Sequence, residues 1–136
     1  PSMIDRSLFS SYSYPMKNSQ RLYGIRGAVC VVDTEEDMQE KVSTLYETIL
    51  SKNNLREDDI VSIQFTLTKD ITSANPAAVL RKASWASDVP LFCSLEPDII
   101  GSLPFVVRIL ITAYLDKKPI PVYLHGAEVL RRDLIQ

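Results

Sequence analysis

The spacing of apolar residues predicts a strand followed by a long helix in the first third of the chain. Residues 21–32 are apolar and β-branched enough for a first strand, which ends at Asp33. Beyond it, four apolar residues recur at helical spacing on one face: Met38, Val42, Leu45 and Ile49. Thr34 with Asp37 three residues later resembles a capping box, so we expect the helix to begin here and to extend to about Lys52.

The rest of the chain predicts one more helix and four more strands. Asn75 before Pro76 is typical of an N-cap followed by proline in the first turn, and it predicts a short helix that extends to Trp85. Polar or proline-containing turns separate the predicted strands, which are residues 60–67, 89–95, 105–115 and 122–130. The last segment is expected to be one strand or a strand pair. The element order is therefore β-α-β-α-β-β-β.

This order predicts an α+β domain with a single mixed β-sheet and helices on one face. Two helices can cover only one face of a sheet that carries apolar residues on both faces. The other face is therefore expected to pack against a partner, and copies of the same chain are the simplest partner. The pattern predicts a homo-oligomer.

Length and composition fit one globular domain without a membrane segment. The chain has 136 residues, of which 46% are hydrophobic and 24% charged, and a chain of this size usually forms a single core. The net charge of -2 and a pI near 5.4 argue against a general nucleic-acid-binding protein. Residues 105–115 form a short apolar run interrupted by Arg108, so no membrane span is predicted.

The cysteines and the first residues favour a cytoplasmic location. Cys30 and Cys93 are too few and too far apart for a disulfide framework, and with only His125 they make a poor zinc site. Residues 1–20 are rich in serine and lack the continuous apolar segment of a secretion signal. We expect them to form a flexible extension outside a single domain of residues 21–136.

Two arginines lie within predicted strands, where an unpaired charge would be costly to bury. Arg108 needs either an anionic partner, for which Glu96 is the candidate, or an edge-strand position from which its side chain reaches water. Arg26 lies between Gly24 and Gly27, which remove side chains that would crowd its guanidinium and let a ligand approach. A strand end with bulges and an exposed arginine is the alternative for this segment.

Motifs of the standard cofactor and nucleophile chemistries do not occur in the sequence. It contains no G-x-x-x-x-G-K loop, no H-E-x-x-H or C-x-x-C motif and no glycine-rich dinucleotide fingerprint. His125 has no serine or cysteine partner at a recognisable spacing, so no catalytic triad is predicted. A set of arginines, one carboxylate and one phenol on strands remains, and this set suits the binding of a small polyanion.

Seven short segments follow one another at a characteristic order and spacing: GIRGA, DTEED, NPAAVLR, CSLE, FVVRIL, VYL and VLRRDL. Over roughly residues 22–134 the chain thereby resembles the small trimeric chorismate mutases of the AroH class. The resemblance implies a homotrimeric pseudo-barrel like that of the Bacillus chorismate mutase, with active sites in clefts between subunits. It also implies an enzyme without metal or cofactor that rearranges chorismate to prephenate on the way to phenylalanine and tyrosine.

The resemblance assigns expected roles to seven residues. Arg108 corresponds to the arginine that binds the ether oxygen, Glu96 to the glutamate that binds the ring hydroxyl, and Arg26 to an arginine that binds a carboxylate. A phenol near the carboxylate, a cleft cysteine, a helix arginine and a C-terminal arginine correspond to Tyr123, Cys93, Arg81 and Arg131. Without the resemblance, these last four would be read as core or exposed surface residues.

One departure from the family pattern and two rival functions remain. Asn75 and Ala78 stand where the family has an aromatic residue and a lysine, so the affinity for substrate is expected to differ. A Rid-like trimeric imine deaminase is suggested by the segment DDIVSIQFTLTKD, although its water-activating arrangement is not recognisable here. A non-catalytic trimeric module that binds small carboxylates is the other alternative.

Overall fold

A computed structural model describes residues 20–134, so the predicted extension lies outside the described residues except for Gln20. The five strands are β1 (Arg21–Cys30), β2 (Ile60–Leu67), β3 (Leu91–Leu95), β4 (Val106–Leu115) and β5 (Val122–Leu124). The two helices are α1 (Glu35–Lys52) and α2 (Pro76–Lys82). Short 3-10 helices lie at Glu57–Asp59 and Ala127–Arg131. Within residues 20–134, neither helix has the length and apolar character needed to cross a membrane.

All five strands form one mixed sheet in the order β3-β2-β4-β1-β5. The central strand β4 pairs antiparallel with β1 and β2, whereas β3 is parallel to β2 and β5 is parallel to β1. Both helices pack on one face of this sheet, around a core that includes Ile25, Leu45, Ile63, Phe65 and Ile111. The predicted α+β class with helices on one face is confirmed.

Both helices begin where their predicted caps lie. The Thr34 hydroxyl accepts a hydrogen bond from the Asp37 amide at 3.1 Å, and the Asp37 carboxylate accepts one from the Val32 amide at 2.6 Å. At α2, the Asn75 side-chain oxygen accepts a hydrogen bond from the Ala77 amide at 2.8 Å. The bonds to the Asp37 and Ala77 amides satisfy donors that a helix leaves unpaired at its start, which is why the sequence pattern located both termini.

The second helix is shorter than predicted. It ends at Lys82, because Ser84 adopts a left-handed φ of 69° that a helix cannot contain. The expected extension to Trp85 is therefore wrong. Trp85 instead packs edge-to-face on Tyr46 of α1, with 5.6 Å between ring centroids, so its apolar character reflects core packing after the helix.

The last predicted strand is also shorter, and no strand pair forms within its described residues. β5 ends at Leu124, since His125 and Gly126 have φ values of 54° and 100° and turn the chain away from the sheet. The 3-10 helix that follows packs Ala127 against Ala28 and Val106. This brings the C-terminal segment onto the sheet face that the two α-helices leave uncovered.

The glycines that flank Arg26 face opposite sides of the sheet, because side chains alternate along a strand. A Cβ on Gly27 would lie only 2.9 Å from side-chain atoms of Ile49 and Ile109, on the helix-covered face. Gly27 therefore makes room for α1, and the expectation that it relieves crowding around the guanidinium is wrong. Gly24 shares the face of Arg26.

The sheet face opposite the helices carries a row of exposed apolar side chains. Leu22, Leu110, Tyr114 and Phe92 are exposed to 48%, 39%, 41% and 75%. Strand pairing sets them side by side, since Leu22 lies opposite Tyr114, and Gln64 lies opposite both Leu110 and Phe92. The uncovered apolar face expected from the helix count is thus present in the fold.

Candidate active site

Arg108 projects from the first half of β4 onto the uncovered face, where it pairs with Glu96. Its Nε lies 3.2 Å from Glu96 Oε1. Glu96 directly follows β3, and its amide donates to the Leu67 carbonyl at 2.9 Å, which fixes its backbone against β2. The predicted partner of Arg108 is confirmed. The edge-strand alternative is wrong, because β4 has a neighbour on each side.

Thr66 is a third member of this cluster, and the sequence did not predict it. It lies in β2 directly opposite Arg108, and its hydroxyl donates a hydrogen bond to Glu96 Oε1. The alternation of IVSIQFTL could have placed Thr66 on the polar face of β2. Only the pairing of strands, however, brings it between Arg108 and Glu96.

A cleft of about 340 Å³ surrounds the Arg108–Glu96 pair on the same face. Neighbouring strands supply its polar walls: Arg26 lies on β1, Tyr123 on β5 and Gln64 on β2, while Arg131 ends the C-terminal 3-10 helix. The side chains that the structure brings together here are Arg26, Gln64, Thr66, Glu96, Arg108, Tyr123 and Arg131. Five of the seven residues expected from the family resemblance therefore share one cleft.

The charge of the cleft suits an anionic ligand. Arg26, Arg108 and Arg131 contribute three guanidinium groups, against the single lining carboxylate of Glu96. Arginine presents a planar fork of donors that matches a carboxylate, so two or three such groups can hold a small molecule in one orientation. The local positive charge contrasts with the net charge of -2 of the whole chain.

Asp133 occupies the Arg131 guanidinium with a bidentate ion pair. The Arg131 Nε and Nη2 atoms donate to the two Asp133 carboxylate oxygens at 3.0 and 2.8 Å. The hydrogen bond raises the pKa of Arg131 and lowers the pKa of Asp133, which the nearby charge of Arg26 lowers further. Asp133, a carboxylate of the chain itself, thus contacts Arg131 and lies close to Arg26. The sequence did not predict this contact.

Arg81 and Cys93 do not line this cleft in the described part of the chain. Cys93 packs with the core on the helix-covered face, and burial raises the pKa of its thiol. Arg81 lies in the last turn of α2 on that same face, where its Nη2 donates to the Val89 carbonyl at 3.0 Å. The sheet therefore separates these two residues from the cleft of their own chain.

The two positions that depart from the family pattern lie at the start of α2. The Asn75 side chain is committed to capping this helix, and Ala78 is exposed in its first turn. Like Arg81, both residues lie on the helix-covered side of the sheet, and neither lines the cleft beside Arg108. Among residues 20–134, no group of three or more His, Cys, Asp and Glu side chains is arranged to hold a metal ion.

Comparison with known proteins identifies the family. The sequence model of the protein family chorismate mutase type I matches residues 22–134. The chain is 36% identical to chorismate mutase AroH of Bacillus subtilis (strain 168) over 118 residues, covering 82% of this chain and 91% of the relative. It is likewise 36% identical to chorismate mutase AroH of Thermus thermophilus over 116 residues, covering 82% and 94%.

A solved structure agrees with these matches. A chorismate mutase from Clostridium thermocellum superposes with a TM-score of 0.74 at 38% identity, over 79% of this chain and 98% of the other. The family model and the relatives cover the strands that carry the arginine-rich cleft. The chain therefore belongs to the chorismate mutase type I family.

Proposed function

We propose that this protein is a chorismate mutase, an isomerase that converts chorismate to prephenate by an intramolecular rearrangement. The observation that carries the proposal is the convergence of Arg26, Arg108 and Arg131 around Glu96 in a cleft on the uncovered sheet face. Membership of the chorismate mutase type I family selects this function over the imine deaminase considered from the sequence.

The reaction requires positioning and charge stabilisation, since one bond breaks and another forms within the same molecule. The substrate's flexible enolpyruvyl arm must lie over its ring before the two carbon atoms can bond. In our proposal, Arg26 and the phenol of Tyr123 bind the carboxylate of that arm and hold it in this pose. Fixing the arm removes rotational freedom before the barrier is reached, which lowers the entropic cost of reaction.

Arg108 would stabilise the charge that develops during bond cleavage. As the carbon–oxygen bond lengthens ahead of carbon–carbon bond formation, negative charge grows on the ether oxygen. The ion pair between Arg108 and Glu96 involves Nε, at 3.2 Å from Oε1, and leaves the terminal nitrogens of Arg108 for this oxygen. A donor that is fixed in advance by Glu96 binds the transition state more tightly than the substrate, and this difference accelerates the reaction.

A direct assay tests the function. Purified protein without added cofactor is expected to consume chorismate, followed by its absorbance, and to yield an equal amount of prephenate. A 2-iminoacid substrate is the control, and it should remain unchanged. Binding of chorismate without turnover would instead identify the carboxylate-binding module, and turnover of the iminoacid would identify the deaminase.

We further propose that the protein is a homotrimer whose clefts lie between neighbouring subunits. Two features support this proposal. The apolar side chains of Leu22, Leu110, Tyr114 and Phe92 are exposed on the sheet face next to the cleft. Arg81 and Cys93, which the family resemblance assigns to the substrate, lie on the far side of the sheet, where a neighbouring subunit's cleft could receive them.

Mixing two inactive variants tests the shared cleft. Arg81→Ala and Arg108→Ala are each expected to be inactive. When subunits of the two variants assemble together at random, about a quarter of the clefts combine a wild-type Arg81 from one subunit with a wild-type Arg108 from its neighbour. The mixture should therefore regain activity. The measurement is chorismate turnover after denaturation and joint refolding, with separately refolded variants as the control. Failure to regain activity, or a stable monomer in sedimentation, would contradict the shared cleft.

Removing the carboxylate of Asp133 is expected to strengthen substrate binding. Asp133 occupies Arg131 and adds negative charge near Arg26, and both effects oppose an anionic substrate. An exposed ion pair is worth little, so Asp133→Asn should lower KM by roughly two- to fivefold with little change in kcat. Asp58→Asn, which breaks the remote pair with Arg56, is the matched control. An increased KM for Asp133→Asn would show that this carboxylate organises the site.

A further inference from the structure

The two described side-chain partners of Glu96 contact the same carboxylate oxygen. Its Oε1 accepts a hydrogen bond from the Thr66 hydroxyl and also lies 3.2 Å from the Nε of Arg108 in an ion pair. An arginine and a carboxylate usually prefer a bidentate pair, in which both carboxylate oxygens are occupied. Here the described contacts converge on Oε1, so the second oxygen, Oε2, remains available for another donor.

We propose that Thr66 is a positioning residue that holds the Glu96 carboxylate in this one-sided arrangement and thereby presents Oε2 to the ring hydroxyl of the substrate. The inference rests on the proposed function and extends it to a residue outside the expected site set. Thr66 acts through Glu96 and needs no contact with the reacting atoms.

The sheet fixes all three residues relative to one another. Thr66 lies opposite Arg108 in the β2–β4 pair, while the Glu96 amide bonds to the carbonyl of Leu67, the residue after Thr66. A β-branched side chain has few accessible rotamers in a strand, so the Thr66 hydroxyl is aimed by its backbone. Glu96 by contrast has a long side chain with several rotatable bonds, and it needs an external contact to stay in one orientation.

The hydrogen bond from the Thr66 hydroxyl to Oε1 also competes with a bidentate pair between Glu96 and Arg108. If the Thr66 hydroxyl were absent, Oε1 would lose its hydrogen bond, and the carboxylate could rotate until both oxygens bind Arg108. The rotated pair would withdraw Oε2 from the substrate hydroxyl and would engage a second nitrogen of Arg108. Both changes would impair the same reaction, one through substrate orientation and the other through the donor for the ether oxygen.

The matched variants are Thr66→Val, which keeps the shape and removes the hydroxyl, and Thr66→Ser, which keeps the hydroxyl. Hydrogen bonds to charged groups predict a roughly ten- to hundredfold loss of kcat/KM for Thr66→Val, whereas Thr66→Ser should stay within about threefold of wild type. With a chorismate analogue whose ring hydroxyl is replaced by hydrogen, the loss for Thr66→Val should be at least about threefold smaller than on chorismate, because the hydroxyl contact no longer exists and only the effect on Arg108 remains. Equal losses on both substrates, or full activity of Thr66→Val on chorismate, would overturn the inference.

A crystal structure of Thr66→Val tests the positioning step independently of any assay. Rotation of the Glu96 carboxylate onto Arg108 supports the inference, and an unchanged carboxylate overturns it. Wild-type protein that fails to convert chorismate would refute the proposed function, and the crystal structure would still decide the role of Thr66. A double variant, Thr66→Val with Glu96→Gln, should be no less active than Glu96→Gln alone, whereas an additional loss of the Thr66→Val size would mean that Thr66 acts elsewhere.

Discussion

Replacing Arg108 with alanine is expected to lower kcat for chorismate by at least about a hundredfold, because removal of one preorganised donor to a developing negative charge typically costs about 3 to 4 kcal/mol. Arg108 lies in the central strand and is held by Glu96 at 3.2 Å, so its position does not depend on the substrate. The loss should appear mainly in kcat, since the interaction forms fully only in the transition state.

Two further variants make this prediction specific. Arg108→Lys should recover little of the activity, because an ammonium cannot donate to Glu96 and to the ether oxygen with the planar fork of a guanidinium. Arg56→Ala removes an exposed arginine outside the cleft, which pairs with Asp58, and it should leave kcat unchanged. Wild-type turnover by either Arg108 variant would show that this residue has no part in the chemistry.

The second large effect concerns Gly27, the glycine that directly follows Arg26. A Cβ at this position would lie 2.9 Å from Ile49 Cδ1 and Ile109 Cγ2, and 3.0 Å from the carbonyl oxygen of Val122. The oxygen belongs to the paired strand β5 and cannot retreat without weakening the sheet. We therefore expect Gly27→Ala to lower the free energy of unfolding by about 1 to 3 kcal/mol, as overpacked cores do. Urea denaturation followed by circular dichroism measures the change.

Gly24→Ala is the matched control from the same strand. Its Cβ would approach only Leu110 Cδ1, at 3.3 Å, which is the flexible end of a half-exposed side chain. Alanine also restricts the unfolded chain more than glycine does, so Gly24→Ala should leave the free energy of unfolding within about 0.5 kcal/mol of wild type. Equal destabilisation by both substitutions would contradict the assignment of Gly27 to helix packing.

Local signals explain the features that were predicted correctly. The starts of α1 and α2 follow from Thr34 and Asn75, whose side chains accept hydrogen bonds from amides two or three residues later. The pairing of Arg108 with Glu96 was also predictable, because an unpaired charge is unfavourable in an apolar strand and Glu96 directly follows the preceding strand. The arginines in the strands and their family spacing likewise indicated an anion-binding enzyme before the fold was known.

The sequence by itself therefore determined the element types, the helix starts, the α+β class and the chemical character of the site, since these depend on residues close together along the chain. Tertiary structure alone decided which residues meet across the sheet. Thr66 joins Glu96 over a separation of 30 residues, because strand register sets that contact. The packing of α1 on one sheet face placed Gly27 against Ile49, and the turn at His125 and Gly126 carried Arg131 and Asp133 to the cleft. Such contacts depend on how distant segments pair, and local spacing does not encode that pairing.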